Sequence, residues 1–348
     1  MATALPTLRC GLCLLLVVVS CSSPDWSQNA PDIQIVGVGS TTPAPLFSKW
    51  FEEYGKSSPH VRLRYMPQGS ADGALFVTSG QADFGGTEIP LNDRELAKAQ
   101  IPVLHFPIFV SGLVPVYNLA NFKKPLRFSP QTLAGIYLGS IRRWNDQALV
   151  ELNPGVELPN YTIQVVHPAA GRGSTYVLSE YLSKVSPEWK SKVGRGSSIS
   201  WPTGQVAEGN GNVARMVKDN PGSIGVVELA FASSNQMQCG SVRNAAGKFV
   251  IADQKSLTAA ANAPHSGSTD FRWSLTNAPG VDAYPIATFS FVLVSANISD
   301  GKKRIAITDF MHWILTEGES YEAPLNYVPV PANIVLEELR VIAKIAGS

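Results

Sequence analysis

Cysteine is nearly absent from the body of this chain: Cys10, Cys13 and Cys21 sit at the N-terminus, and only Cys239 lies beyond. No disulfide framework is therefore predicted. A surplus of one charge is missing too, with 28 Lys and Arg against 27 Asp and Glu, a formal charge of +1. Broad binding along a nucleic-acid backbone needs a basic surplus, so that class is excluded. The five histidines, His60, His105, His167, His265 and His312, are scattered singly, and no metal cluster or catalytic triad follows from their spacing. HExxH, paired CxxC and GxSxG are absent from the body, and Gly171-Arg-Gly-Ser174 lacks the length and the lysine of a P-loop. An enzyme or cofactor reading has little to stand on. Beyond the N-terminus no apolar run is long enough to span a membrane.

What is present suits two ordinary domains: 348 residues, 45% hydrophobic and 16% charged. The chain is long enough to bury a full core, and 29 Gly with 25 Pro point to many turns. Arg9, the apolar run Cys10–Val19 and the small residues Ser20-Cys21-Ser22 read as a secretory signal over residues 1–20. Val18-Val19-Ser20-Cys21 resembles a bacterial lipobox, which makes Cys21 the lipidation site and residues 21–30 a polar tether; the alternative is an ordinary signal cut a few residues later. Cys10-Gly-Leu-Cys13 lies inside the apolar run and is not read as a redox or zinc motif.

The remainder alternates strand, hydroxyl-bearing turn and helix. Ile33–Gly39 is a β-branched strand ending in glycines. Pro43 and Pro45 open a helix on which Leu46, Phe47, Trp50, Phe51 and Tyr54 recur at helical spacing. Val61–Tyr65 alternates as a strand, Gly69–Gly73 reads as a turn, and Ala82–Glu88 holds a third short strand. Leu104–Tyr117 is one or two buried strands. Further strands are expected at 162–166, 223–227 and 286–294, with helices at 174–185, 305–315 and 333–345. Ala259–Ser268 reads as a surface loop. The pattern is α/β, a class that gathers ligands where strands end and helices begin.

Two turns offer oxyanion donors: Gly39-Ser-Thr-Thr-Pro43 and Gly171-Arg-Gly-Ser-Thr175. The first turn of a helix leaves N–H groups unpaired and carries partial positive charge, while glycine lets a ligand approach the backbone. Each turn alone is equally well an ordinary helix cap.

Taken together, the residues resemble the phosphate-binding protein of the bacterial Pst ABC transporter, the PstS family. The resemblance rests on Gly37–Trp50, on Ala82-Asp-Phe-Gly-Gly-Thr-Glu-Ile-Pro90, on Ile136-Tyr-Leu-Gly-Ser-Ile-Arg-Arg-Trp-Asn-Asp146 with Leu152-Asn-Pro-Gly155, and on Pro221-Gly-Ser-Ile-Gly225. It implies a periplasmic-binding-protein fold, two α/β lobes joined by crossing hinge strands. Residues 31–116 and 287–348 would form lobe one and residues 117–286 lobe two. It also implies a monomeric, extracytoplasmic protein, which the lipobox-like boundary at Cys21 would anchor to a membrane. Such a protein captures inorganic phosphate for a membrane ABC permease and has no cofactor, metal or catalytic residue.

The family's donors map onto Thr41, Thr42, Ser70, Gly173 and Ser174. Thr42 replaces a common aromatic, but the donor there is backbone. Glu88 stands where the family has an Asp that accepts a hydrogen bond from protonated phosphate and repels sulfate. The third turn departs further: Pro168 replaces the usual arginine, Ala170 its acidic partner and Arg172 a serine. Arg172 is expected to restore the positive charge, with Glu88 within reach of its fork; the alternative is that it points to solvent. Other readings are a different oxyanion, a phosphate sensor, or a surface interaction protein that has lost its ligand.

Overall fold

The structure is a computed structural model that describes Met1 and residues 33–120, 125–264 and 270–347. The signal segment, the tether and Cys21 lie outside the described residues.

The chain opens with β1 (Ile33–Gly39), α1 (Ala44–Ser57), β2 (Val61–Pro67), α2 (Ser70–Thr78), β3 (Phe84–Thr87) and α3 (Asp93–Lys98). The single strand β4 (Val103–Tyr117) follows, with 15 residues, long enough to cross about 50 Å. The middle section begins with β5 (Arg127–Phe128), α4 (Pro130–Leu138), α5 (Gln147–Leu152), β6 (Gln164–Pro168), α6 (Gly173–Val185) and α7 (Pro187–Lys192). It continues through β7 (Gln205–Ala207), α8 (Gly209–Asp219), β8 (Ser223–Glu228), α9 (Leu229–Ser234), β9 (Gln238–Cys239), β10 (Ser241–Arg243), β11 (Phe249–Val250) and α10 (Gln254–Ala261). The chain returns along β12 (Ala287–Ser295) to α11 (Gly301–Thr316) and α12 (Ala332–Ala346).

Nine strands form one sheet in the order β2-β1-β3-β12-β4-β8-β6-β7, with β9 also on β4. β1 runs parallel to β2 and β3, and β6 runs parallel to β7 and β8. Between these two parallel blocks stand β4 and β12, antiparallel to each other and to their neighbours. The hydrophobic core divides at the same place. One cluster holds Leu46, Phe47 and Trp50 of α1 with Phe106, Phe109, Val292 and Phe310. A second holds Val110, Leu113, Tyr137, Trp144, Tyr181, Ile224, Phe289 and Phe291. Thus β4 changes core between Phe109 and Val110, and β12 between Phe291 and Val292. These are two α/β lobes joined by a pair of crossing strands.

Two local expectations are corrected. Ser70 is the first residue of α2 rather than part of a turn; Ser-Ala-Asp-Gly is turn-like in composition, yet it packs as a helical first turn with Ser70 and Gly73 buried. The supposed loop 259–268 begins inside α10, where Ala260 and Ala261 are buried in the second core; residues 265–269 lie outside the described residues.

Glycine is required where β1 meets β3. Gly39 has φ 147°, and a Cβ there would lie 2.1 Å from the Gly86 carbonyl oxygen. That neighbour is backbone in a buried sheet and cannot move aside. Gly39→Ala is expected to cost about 3 kcal/mol through overpacking and strain. Urea denaturation measures this directly, and an unchanged midpoint would contradict the close approach.

Candidate functional site

Residues that follow β1, β2 and β3 meet one residue of β12 and the head of α6 at a single point. Ser40 follows β1, with its N–H donated to the Gly86 carbonyl at 2.9 Å and its own carbonyl held by the Tyr65 hydroxyl at 2.8 Å. With its backbone fixed on both sides, Ser40 donates its hydroxyl to Glu88 Oε2 at 2.6 Å. Ser70, at the head of α2, donates to the same oxygen at 2.8 Å. Ser290, on β12, donates to Glu88 Oε1 at 3.0 Å. Glu88 follows β3 and is 1% exposed. Burial raises its carboxyl above the usual range, and the three serine hydroxyls only partly offset this by favouring the ionised form.

The lobe-two wall is the start of α6. Arg172 is the N-cap residue but supplies no side-chain cap. Gly173 comes so close that a Cβ there would lie 2.0 Å from Glu88 Oε2 and 2.7 Å from Ser70 Oγ. Ser174 is buried behind it. Thr175 ties the turn down by donating its hydroxyl to the Ala169 carbonyl at 2.7 Å. Across the cleft, Ala71 N–H donates to the Gly171 carbonyl at 3.1 Å, which joins the two turns directly.

Arg172 pairs with Glu208, Nη2 to Oε2 at 2.5 Å, and not with Glu88. Glu208 stands at the N-cap position of α8 without capping it; the start of α8 lies beside that of α6, and this nearness does not follow from the sequence. The guanidinium nonetheless stays at the cleft. Its side chain is 21% exposed, Nη1 stands 3.3 Å from where a Gly69 Cβ would be, and Nε is buried without a partner among the described residues. Thr42 is buried; its N–H donates to Ser40 Oγ at 3.1 Å and its carbonyl accepts from Tyr327 at 2.8 Å. Thr41 faces a different space, a groove of about 470 Å³ shared with Ser48, Pro67 and the start of α8.

Sequence reasoning missed three residues. Ser40 stood inside a turn already read as donor-rich. Ser290 sits among aromatic strand residues and carries no local signal. Glu228 ends β8 and is 0% exposed, and neither of its carboxylate oxygens is hydrogen-bonded among the described residues. It is pushed up to about 8, first by burial and then by the negative charge of Glu88; the nearby Ser111 and Thr42 hydroxyls temper this. The site therefore combines neutral hydroxyl donors, a helix N-terminus and two buried carboxyls. Such a set suits a small oxyanion able to carry its own protons.

Residues 26–317 match the family model described as a PBP superfamily domain. A phosphate-binding protein PstS of Xylella fastidiosa strain Temecula1 is 40% identical over 316 residues, covering 90% of this chain and 86% of that protein. One from Methanocaldococcus jannaschii is 34% identical over 358 residues, covering 93% and 91%. Among solved structures, a phosphate-binding protein from Stenotrophomonas maltophilia has the same fold, with TM-score 0.66 at 15% identity, covering 88% of this chain and 93% of that one. An ABC-type phosphate transport receptor from Vibrio cholerae aligns with TM-score 0.57 at 19% identity, covering 84% and 99%. Among the described residues no helix is long and apolar enough to cross a membrane. With two α/β lobes, donors from both converging at the strand ends, and this likeness along most of its length, the chain belongs to the PstS family of solute-binding proteins.

Proposed function

We propose that this protein captures inorganic phosphate in the cleft between its lobes and delivers it to an ABC permease outside the cytoplasm. The observation that carries this reading is the convergence of Ser40, Ser70 and the α6 N-terminus on one buried point between the lobes. The names of its relatives point to the same ligand. Thr42, Gly173 and Ser174 add donors around that point, whereas Thr41, expected from the sequence to be one, faces the neighbouring groove; Glu88 accepts a hydrogen bond from a protonated phosphate. Fully ionised sulfate has no proton to offer and would meet an unpaired like charge. By its cores, lobe one runs to Phe109 and resumes at Val292, and lobe two takes the chain between them, a shift of a few residues from the bounds 116/117 and 286/287 expected from the sequence. The chain works as a monomer held to the membrane through lipidated Cys21, and as a carrier rather than an enzyme.

Calorimetric titration of phosphate-stripped protein with phosphate, sulfate and arsenate tests this. Micromolar or tighter phosphate binding with sulfate silent is expected; silence towards all three anions would remove the function and leave the fold. Among the described residues Arg172 is the cation assigned to the cleft, but Glu208 shares its charge. Arg172→Ala is therefore expected to weaken phosphate about tenfold, near 1.4 kcal/mol, rather than abolish binding. Unchanged affinity would take Arg172 out of the site.

A further inference from the structure

We infer that Glu88 is an internal anion: its carboxylate fills the phosphate seat, and phosphate binds by exchanging with it. The inference rests on the phosphate reading above and deepens it. The hydroxyls of Ser40 and Ser70 both close on Glu88 Oε2, and Ser290 closes on Oε1. The same Oε2 lies against Gly173, at the head of α6. These are the donors that an entering anion needs. A carboxylate offers two acceptor oxygens and negative charge, so it satisfies the same groups in the same geometry.

The hydroxyls serve one occupant at a time. With Ser40 and Ser70 closed on Oε2 and Ser290 on Oε1, an entering anion reaches them only by displacing the carboxylate. Side-chain length makes this arrangement possible. Glutamate carries its oxygens one methylene farther than aspartate, and that reach spans from the end of β3 to the start of α6. Swung aside, the same carboxyl borders the incoming ligand and acts as the hydrogen-bond acceptor proposed above. The internal occupant keeps the hydroxyls paired when the ligand leaves, and every binding event must overcome it.

Shortening the arm tests the exchange. Glu88→Asp keeps the acid but loses the span, so phosphate affinity by calorimetry should rise tenfold or more. Glu88→Ala leaves a cradle of the carboxylate's size, in which acetate should raise the melting temperature and compete with phosphate. Wild-type protein should ignore acetate. Unchanged or weaker phosphate binding by Glu88→Asp, with no acetate effect on Glu88→Ala, would overturn the inference. Should no form bind phosphate, an acetate-induced shift confined to Glu88→Ala would still uphold the internal anion, while the phosphate reading fell. If the Glu88 variants do not fold, Ser290→Ala decides. Loosening the grip on Oε1 should tighten phosphate severalfold, and weaker binding would contradict the exchange.

Discussion

Replacing Gly173 with alanine should reduce phosphate affinity more than 100-fold while both lobes remain folded. The added methyl would stand 2.0 Å from Glu88 Oε2, 2.7 Å from Ser70 Oγ and 2.9 Å from Glu88 Cβ. It would occupy the space in which an anion oxygen approaches the α6 backbone, and hydrogen bonds weaken steeply when donor and acceptor are forced apart. Folding should tolerate the change for two reasons. Gly173 does not adopt a left-handed conformation, and alanine favours a helix over glycine by about 0.5–1 kcal/mol. The two closest clashing atoms, Glu88 Oε2 and Ser70 Oγ, are also the ends of side chains, and only Glu88 Cβ must shift with its residue. Calorimetry gives the affinity, and a melting temperature within a few degrees of wild type confirms the fold. Phosphate affinity within tenfold of wild type would show that the head of α6 is not the seat.

Glu228→Gln should change how stability depends on pH. The wild-type carboxyl titrates near 4.5 when unfolded and about 8 when folded, so the folded protein holds a proton that the unfolded chain releases. For a group raised in this way, stability is greatest below pH 4.5 and falls as pH climbs towards 8. By pH 7 the cost reaches about 3 kcal/mol. Glutamine has the same shape and no proton to lose, so it removes this slope. Wild type and variant should melt together near pH 4.5 and separate as pH rises, with the variant the more stable at pH 8. Parallel profiles would mean that Glu228 is hydrated or paired in solution. Glu88, also raised by burial, is coupled to Glu228 by like charge, so the difference between the two profiles reports the pair rather than Glu228 alone.

The parts of the fold readable from the sequence were those with local causes. The β-branched run of β1, the paired prolines before α1 and the amphipathic spacing of Leu46, Phe47, Trp50 and Tyr54 each act within a few residues, and each element formed where expected. The head of α2 misled because Ser70, Ala71, Asp72 and Gly73 have turn-like composition, and only burial against β1 and β3 makes them helical. The site divided along the same line. Ser70 and Glu88 could be placed by resemblance, and both meet at the strand ends. Ser290 could not, because a hydroxyl between Phe289 and Phe291 acquires meaning only through strand register. The Arg172–Glu208 pair depends on two helix starts being brought side by side, a matter of packing rather than spacing.

The pairing of β12 with β4 bears on how the lobes move. Two hydrogen-bonded strands side by side form a ribbon, which resists bending in its own plane and yields more readily to torsion. With both strands buried along nearly their whole length, the lobes would turn about the ribbon like the ends of a torsion bar, and its amides should be among the slowest to exchange with solvent. The pairing slips register at one place, between Ser290 and Phe291. Irregularities of this kind raise local twist and locate compliance. Ser290 is also the residue bonded to Glu88 Oε1. The softest point of the bar is thus fastened to the group that phosphate must dislodge, so ligand exchange would release a brake on rotation in the same step that fills the cleft.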